Sequence, residues 1–173
     1  VVNFDPEYRA SPEWRSINPV GKVPAMSDGE LVMFESGAMV QYLVDRYGKG
    51  KLQPEIGTAD HALYLQWSWF AEATFSRPLG EVVNHGREFP GDKQIPEVVE
   101  EMKNRASLSL DAVADEVANK EYLIANSFSA ADIMMGYTIM LADRLLGKPL
   151  PKKILPYWER LSEREGYQIA QKA

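Results

Sequence analysis

Two short stretches near the start of the chain hold residue types that could bind a small charged molecule. The stretch 17–26 reads INPVGKVPAM and carries Lys22, and the stretch 34–38 reads FESGA and carries Glu35 and Ser36. Glu35 can hold a ligand ammonium, and Lys22 can hold a carboxylate. Ser36 stands at the start of a predicted helix, so its hydroxyl and the unpaired backbone amides there can bind a second carboxylate. The set predicts a site for a small peptide with one amine and two carboxylates.

The Val23-Pro24 pair predicts how the backbone of such a peptide could be held. A bond between any residue and proline, at the start of a strand, is one of the few places where a cis peptide is energetically accessible. A cis bond there would turn the Val23 N–H and C=O outward, so that an extended ligand pairs with them as an added strand. Glu35 must aim its side chain at the ligand while it opens a helix, so we expect it in an unusual backbone region.

Each of these features also has a plainer interpretation. Asn-Pro and Val-Pro are common in turns, Glu-Ser before a helix is often only a cap, and a single lysine is usually solvated. The combination of Lys22, Val23, Pro24, Glu35 and Ser36 at this spacing favours a binding site over the plainer readings.

Three segments in this order resemble the glutathione S-transferase family, in its bacterial style. They read INPVGKVPAM, ESGAMVQYLVDRYG and, later in the chain, FSAADIMMGY. The resemblance covers nearly the whole chain. It implies a protein that binds glutathione as co-substrate and transfers its thiolate to a small hydrophobic electrophile. It also implies a cytoplasmic homodimer with a role in detoxification. Glutathione carries one amine and two carboxylates, which is the ligand chemistry expected above.

The order of predicted elements agrees with the resemblance and predicts an α+β part followed by an all-α part. Hydrophobic patterns and turn signals predict strands at 1–4, 23–26 and 31–34, a short helix from Ser11 and a helix at 36–47. The polar stretch 48–57 predicts a linker. We therefore expect a thioredoxin-like glutathione-binding domain at 1–50 and a helical-bundle domain at 58–173.

The second part shows helical periodicity throughout. Thr58 predicts the cap of a long helix that is interrupted near Pro78, and a further helix is predicted at 95–118. Ser129 and Asp132 have the spacing of a capping box, which predicts a structural role for the Asp132 carboxylate. A last helix is predicted from about Pro156.

The predicted first domain looks incomplete beside the resembled fold, which begins with one more strand and helix. We therefore expect about thirty further residues upstream, the size of a strand with its crossover. In the family the residue that activates the thiol is a Ser, Tyr or Cys in that region. The catalytic residue is accordingly expected upstream of Val1 and is left unassigned. Tyr8 is interpreted as a surface or packing aromatic.

Composition excludes several other classes of function. The net charge is −6 and the sequence pI is about 5.0, which argues against nucleic acid as a partner. The chain has no run of about eighteen apolar residues, so no membrane span is predicted. It has no cysteine, which excludes disulfides and thiolate metal ligands, and two scattered histidines are too few for a metal site. No metal cofactor is expected.

Two alternatives remain open at this point. The first is a glutathione-dependent isomerase or disulfide reductase of the same fold, which would bind glutathione in the same way. The second is a non-catalytic module for binding or assembly, which the retention of Lys22, Val23, Pro24, Glu35 and Ser36 disfavours. The aromatic-rich segment from Tyr64 to Glu72 could line an electrophile site, but helical aromatic stripes are more often core or dimer contacts.

Overall fold

The computed structural model of the protein describes residues 5–124 and 126–172, with Pro6 described by its backbone alone. The chain divides into two compact units, of which the first ends at Lys49 and the second begins at Gly50. The first unit holds a two-stranded sheet with helices, and the regular elements described in the second unit are helical. This architecture confirms the predicted fold class. The strand predicted for 1–4 lies outside the described residues.

Short helices precede the sheet in the first unit, and each begins with a proline after a capping residue. The Asp5 carboxylate accepts the Tyr8 N–H at 2.7 Å, and the Ser11 hydroxyl accepts the Trp14 N–H at 3.1 Å. The predicted helix from Ser11 is confirmed, whereas the helix before it was not predicted. The elements of this unit are α1 (Pro6–Ala10), α2 (Pro12–Ile17), β1 (Ala25–Asp28), β2 (Leu31–Phe34) and α3 (Ser36–Tyr47).

The two strands form an antiparallel hairpin whose register runs from Ala25↔Phe34 to Asp28↔Leu31. Gly29 turns the chain with φ +61°, a left-handed conformation that favours glycine. The first strand begins at Ala25 and not at Val23 as predicted. Proline has no backbone N–H to donate to a ladder, so regular pairing begins after Pro24.

The second unit begins with an irregular segment from Gly50 to Thr58. The regular elements described after it are helices of several kinds. The elements are α4 (Ala59–Trp69), a π-helical segment (Phe70–Ser76), α5 (Arg77–Glu88), a 3₁₀ turn (Gly91–Lys93), α6 (Pro96–Val117), α7 (Ala130–Leu145), a second 3₁₀ turn (Lys152–Ile154), α8 (Leu155–Ser162) and α9 (Glu165–Ala170).

The long helix predicted from Thr58 is interrupted at Phe70–Ser76, a few residues before the predicted position near Pro78. Thr58 caps α4, as predicted, by accepting the His61 N–H at 3.2 Å. The helix then widens into the π-helical segment and continues as α5, with Pro78 in the first turn of α5. A proline is tolerated in a first turn because its missing N–H is not required there.

The core of the second unit surrounds α7, which packs against α4, the π-helical segment, α6 and α8. The Thr138 hydroxyl donates to the carbonyl of the fully buried Ala71 at 3.3 Å. A Cβ at Gly136 would lie 3.3 Å from Leu161 Cδ1, so glycine allows α8 to approach closely. The small side chains of α7 therefore let neighbouring helices pack closely against it.

The capping box predicted at the start of α7 is confirmed and belongs to a larger buried network. The Asp132 carboxylate accepts the Ser129 N–H at 2.8 Å and the Ser129 hydroxyl at 2.9 Å. It also accepts the Leu123 N–H at 3.0 Å and the Tyr157 hydroxyl at 2.9 Å. Burial and then the nearby Asp132 carboxylate raise the Tyr157 pKa well above its ordinary value. Asp132 thus joins three segments of the second unit, which supports its structural interpretation.

Replacing Tyr157 with Phe should lower the free energy of unfolding by about 1.5–3 kcal/mol, the range for a hydrogen bond to a charged group. Urea denaturation followed by circular dichroism measures the change. Tyr167→Phe is the matched control, because the Tyr167 hydroxyl has no hydrogen-bond partner among the described residues. That control should change stability by less than about 0.5 kcal/mol. Equal stability of Tyr157→Phe and wild type would contradict the role of the network.

Candidate functional site

The register of the hairpin brings the two predicted stretches together. Because Ala25 pairs with Phe34, the residues that precede β1 and those that follow β2 lie at the same end of the hairpin. Pro24 and Val23 enter at this end, and Glu35 and Ser36 leave from it. The two halves of the predicted site are therefore adjacent, although ten residues separate Pro24 from Glu35 in the sequence.

The backbone at this end has the two features that the sequence predicted. The Val23-Pro24 bond is cis, and Glu35 has φ +76° and ψ +105°, an uncommon conformation for a residue with a side chain. The Val23 side chain is 58% exposed. Within the part of the chain that the structure describes, the Val23 N–H and C=O have no hydrogen-bond partner. This backbone edge can therefore pair with an extended ligand.

The start of α3 leaves polar groups open on the other side of the site. Glu35 is the N-cap of α3 but makes no side-chain capping bond, and the first helical bond runs from the Met39 N–H to the Glu35 carbonyl at 3.0 Å. The Glu35 carboxylate and the Ser36 hydroxyl have no partner among residues 5–124 and 126–172. The first-turn amides and the positive end of the helix dipole favour a carboxylate here.

Lys22 completes the charge pattern. Its side chain is exposed and forms no ion pair with any of the described residues. The site therefore presents a cation at Lys22, an anion at Glu35 and a helix N-terminus at Ser36. That pattern complements a peptide with one amine and two carboxylates, and the five predicted residues occupy one end of the hairpin.

Asp28 anchors the opposite end of the hairpin to α3, and sequence analysis did not identify this cluster. The Asp28 carboxylate accepts the Tyr42 hydroxyl at 2.8 Å and also accepts the Tyr47 hydroxyl, with Arg46 Nε at 3.6 Å. The hydrogen bonds from Tyr47 and Tyr42, together with the Arg46 charge, lower the pKa of Asp28 below its ordinary value of 3.8. The cluster holds α3 along the hairpin, so that the N-terminus of α3 stays at the site.

Other residues considered from the sequence have structural roles. Tyr8 packs on Trp14 with ring centroids 5.8 Å apart, which confirms its interpretation as a packing aromatic. His85 accepts the Ile95 N–H at 2.9 Å through Nε2. In the aromatic segment, Tyr64 is buried in the core while Trp69 is 68% exposed.

The part of the chain that the structure describes has neither a metal-binding cluster nor a helix that could span a membrane. No group of three or more His, Cys, Asp or Glu side chains is arranged there to hold a metal ion. None of its helices is both long enough and apolar enough to cross a membrane.

The sequence matches a family model described as the glutathione S-transferase N-terminal domain, over residues 1–45. The chain is 30% identical over 169 residues to a glutathione S-transferase from Silene vulgaris, spanning 86% of this chain and 77% of that one. It is 29% identical over 174 residues to glutathione S-transferase 3 of Schizosaccharomyces pombe, spanning 94% of this chain and 72% of the relative.

Solved structures show the same fold. The glutathione transferase URE2P8 from Phanerochaete chrysosporium, crystallised with oxidized glutathione, superposes with a TM-score of 0.82 at 25% identity. The match covers 95% of this chain and 77% of that one. URE2P6 from the same organism gives a TM-score of 0.87 at 22% identity, covering 99% of this chain and 82% of that one.

The stabilisation from the Asp28 cluster should depend on pH in the acid range. Because the pKa of Asp28 in the folded state lies below its ordinary value of 3.8, its contribution is complete well above pH 3.8 and is lost as pH falls through the folded pKa. The difference in Tm between wild type and Asp28→Asn should be constant above about pH 5 and should shrink below about pH 3.8.

Thermal melts followed by circular dichroism at several pH values measure this difference. Glu30→Gln in the same hairpin turn is the matched control, since the Glu30 side chain has no partner among the described residues. A Tm difference for Asp28→Asn that stays unchanged down to about pH 2.5 would contradict the prediction.

Proposed function

Because this chain belongs to the glutathione S-transferase family, we propose that it is a glutathione transferase. It binds glutathione at one end of the hairpin and transfers the thiolate to a small hydrophobic electrophile. The observation that carries the proposal is the pairing of Ala25 with Phe34. Val23 precedes this pair and Glu35 and Ser36 follow it, so their open groups belong to the same end of the hairpin, which supports the proposal.

Each part of glutathione has a complementary group in the proposed site. The cysteinyl backbone pairs with the Val23 N–H and C=O, as a strand added to an edge. The Glu35 carboxylate holds the γ-glutamyl ammonium, and Ser36 with the first-turn amides of α3 holds the γ-glutamyl carboxylate. Lys22 holds the glycyl carboxylate. URE2P8, at 25% identity, was crystallised with oxidized glutathione, which supports this ligand.

The proposed reaction is a nucleophilic transfer. The thiolate is the nucleophile, so the cysteinyl thiol first gives its proton to a base or to water. The sulfur then forms a bond to an electrophilic carbon, and the leaving group departs with its bonding electron pair. Lys22, Val23, Pro24, Glu35 and Ser36 bind and orient glutathione in this scheme, and none of them is assigned the deprotonation. The cytoplasmic location and the role in detoxification stay predictions.

Glu35→Ala should weaken glutathione binding by about 1.5–3 kcal/mol, because it removes a charge-assisted hydrogen bond to the γ-glutamyl ammonium. Isothermal titration calorimetry on the full-length protein measures the affinity. Glu30→Ala is the matched control, since Glu30 lies in the turn at the opposite end of the hairpin. Its affinity should equal that of wild type.

Turnover assays of the same proteins test the reaction class. Glutathione conjugation to an aryl halide should be measured beside reduction of a mixed disulfide and isomerisation of an unsaturated ketone. The transferase proposal is supported if the rate of conjugation in the wild type exceeds the rates of the other two reactions and is lower in Glu35→Ala. Absence of glutathione binding in the wild type would refute the whole proposal, and unchanged binding in Glu35→Ala would refute the role of Glu35.

We also propose that the protein is a homodimer, and the groove between α5 and α6 supports this. A cavity of about 940 Å³ lies there and includes Val98, Met102 and Leu108 in its lining. Leu108 is 71% exposed. Arg77 and Glu81 place charges of both signs on the same surface. A surface with apolar area and both charges can be self-complementary, as a two-fold interface requires.

Leu108→Asp should shift the protein from dimer to monomer, because the new carboxylate would be buried without a partner in the interface. Light scattering coupled to size-exclusion chromatography measures the mass over a range of concentrations. Ile56→Asp is the matched control, because Ile56 is 73% exposed and lies outside the groove. A wild-type protein that stays monomeric at high concentration would contradict the proposal, as would a dimer unaffected by Leu108→Asp.

A further inference from the structure

The loop that enters the proposed site is a tight turn held from inside by one buried side chain. The Gly21 N–H donates to the Asn18 carbonyl at 2.8 Å, which closes a four-residue turn with Pro19 at its second position. Gly21 has φ +64°, so the last position of the turn requires a left-handed backbone. The chain then runs directly into Lys22 and Val23.

Asn18 makes hydrogen bonds through its backbone and through both ends of its side-chain amide. Asn18 as a whole is only 2% exposed. Its backbone N–H donates to the Trp14 carbonyl at 2.8 Å. Its Oδ1 accepts the Val20 N–H at 3.2 Å, and its Nδ2 donates to the Lys22 carbonyl at 2.8 Å. The first side-chain bond closes the turn locally. The second crosses the turn to the peptide that joins Lys22 to Val23.

The Nδ2 bond determines the direction of a group in the proposed site. The Lys22–Val23 peptide is trans, since the only cis bond among the described residues is Val23-Pro24. In a planar trans peptide the C=O and the N–H point in opposite directions. Because Asn18 Nδ2 holds the Lys22 C=O, the Val23 N–H of the same peptide must point away from Asn18. That N–H has no partner in the described chain and is the one that would pair with a ligand backbone.

We propose that Asn18 is a positioning residue for the glutathione backbone, which it orients by fixing the Lys22–Val23 peptide plane. The inference rests on the proposed function, and Asn18 itself does not touch the ligand in it. Because Asn18 is buried and the bond is partly buried, water does not readily replace the bond when the donor is removed. Without the donor, the peptide can rotate about its flanking single bonds, so the Val23 N–H must be reoriented whenever glutathione binds.

Two variants separate the two side-chain bonds of Asn18. Asn18→Asp keeps an oxygen for the Val20 N–H but has no donor for the Lys22 carbonyl. Asn18→Ser can also accept from Val20, and its hydroxyl is too short to cross the turn. Both should weaken glutathione binding by about 5- to 50-fold in calorimetry, the equivalent of one or two neutral hydrogen bonds. If turn closure alone mattered, both variants would bind glutathione as the wild type does.

Arg15→Met is the matched control on the same turn. It removes the bond from Arg15 Nη1 to the Pro19 carbonyl at 2.9 Å and leaves the Lys22–Val23 peptide untouched. Its glutathione affinity should stay within about 2-fold of wild type. An equal loss of affinity in Arg15→Met and Asn18→Asp would show that general loosening of the turn, and not the peptide plane, weakens binding.

Amide NMR spectra provide a readout that a purely structural role would not move. On titration with glutathione, the Val23 and Ser36 amide signals of the wild type should both shift. In Asn18→Asp, saturation of the Val23 amide signal should require more glutathione, and the signal of the bound state should differ from that of wild type. Asn18→Ser serves for the same measurement if Asn18→Asp does not fold. A bound Ser36 signal like that of wild type locates the defect at Val23.

The outcomes separate the two proposals. If the wild type does not bind glutathione, the proposed function fails. If the wild type binds and both Asn18 variants bind equally well, the function stands and the role of Asn18 is refuted. If the wild-type Ser36 amide shifts on titration while the Val23 amide does not, the role of Asn18 is refuted even where neither variant folds.

Discussion

The backbone pairing of β1 with β2 is the constraint on which the candidate site depends. The ladder begins with Ala25 opposite Phe34, and everything that the site contains lies just beyond that pair. A slip of one residue would move each side chain of the strand to the other face and displace Glu35 from Val23. Pro24 limits such a slip because it cannot donate to a ladder that starts one residue earlier. The site is thus a consequence of where the sheet begins.

Buried and clustered polar groups hold in place the elements on either side of the Ala25–Phe34 pair. At the turn end, Asp28 gathers the hydroxyls of Tyr42 and Tyr47 and keeps α3 beside the hairpin. At the site end, the Asn18 side chain joins the turn after α2 to the Lys22 carbonyl. Hydrogen bonds at both ends of the hairpin therefore hold the elements that carry Val23, Glu35 and Ser36, whose own polar groups stay open. This division suits binding, since a site is most effective when its supports are already satisfied.

In the second unit, hydrogen bonds to one carboxylate also hold several elements together, but here the carboxylate is buried. Asp132 accepts bonds from residues 123, 129 and 157, so one carboxylate joins the loop before α7, the helix itself and α8. Removing a single donor leaves the other hydrogen bonds in place but leaves one acceptor unpaired in an apolar environment. An unmade hydrogen bond is energetically costly there. The small residues of α7 then allow the other helices to pack closely around this point.

Local signals in the sequence were sufficient for most elements of the fold. Three local patterns predicted α2, the start of α7 and α6: the Ser11-Pro12 pair, the Ser129–Asp132 spacing and the periodicity of 95–118. They were sufficient because caps and amphipathic faces depend on neighbours a few residues away. The interruption of the long helix begins at Phe70 and not, as predicted, near Pro78. The π-helical turns before it depend on how α7 packs against that segment, and no local pattern records that packing.

The unusual backbones predicted at Val23-Pro24 and Glu35 were confirmed, whereas the binding roles of the candidate site residues stay a prediction from their types and spacing. The sequence by itself determined which charges are available and where helix α3 begins, since these are properties of adjacent residues. Tertiary structure alone decided that Asp28 meets Tyr47, nineteen positions away, and that the Asn18 amide turns inward to the Lys22 carbonyl. The physical reason is that an Asn or Asp side chain has many possible partners in a turn. Only the folded path of the backbone selects which of them lies within hydrogen-bond distance.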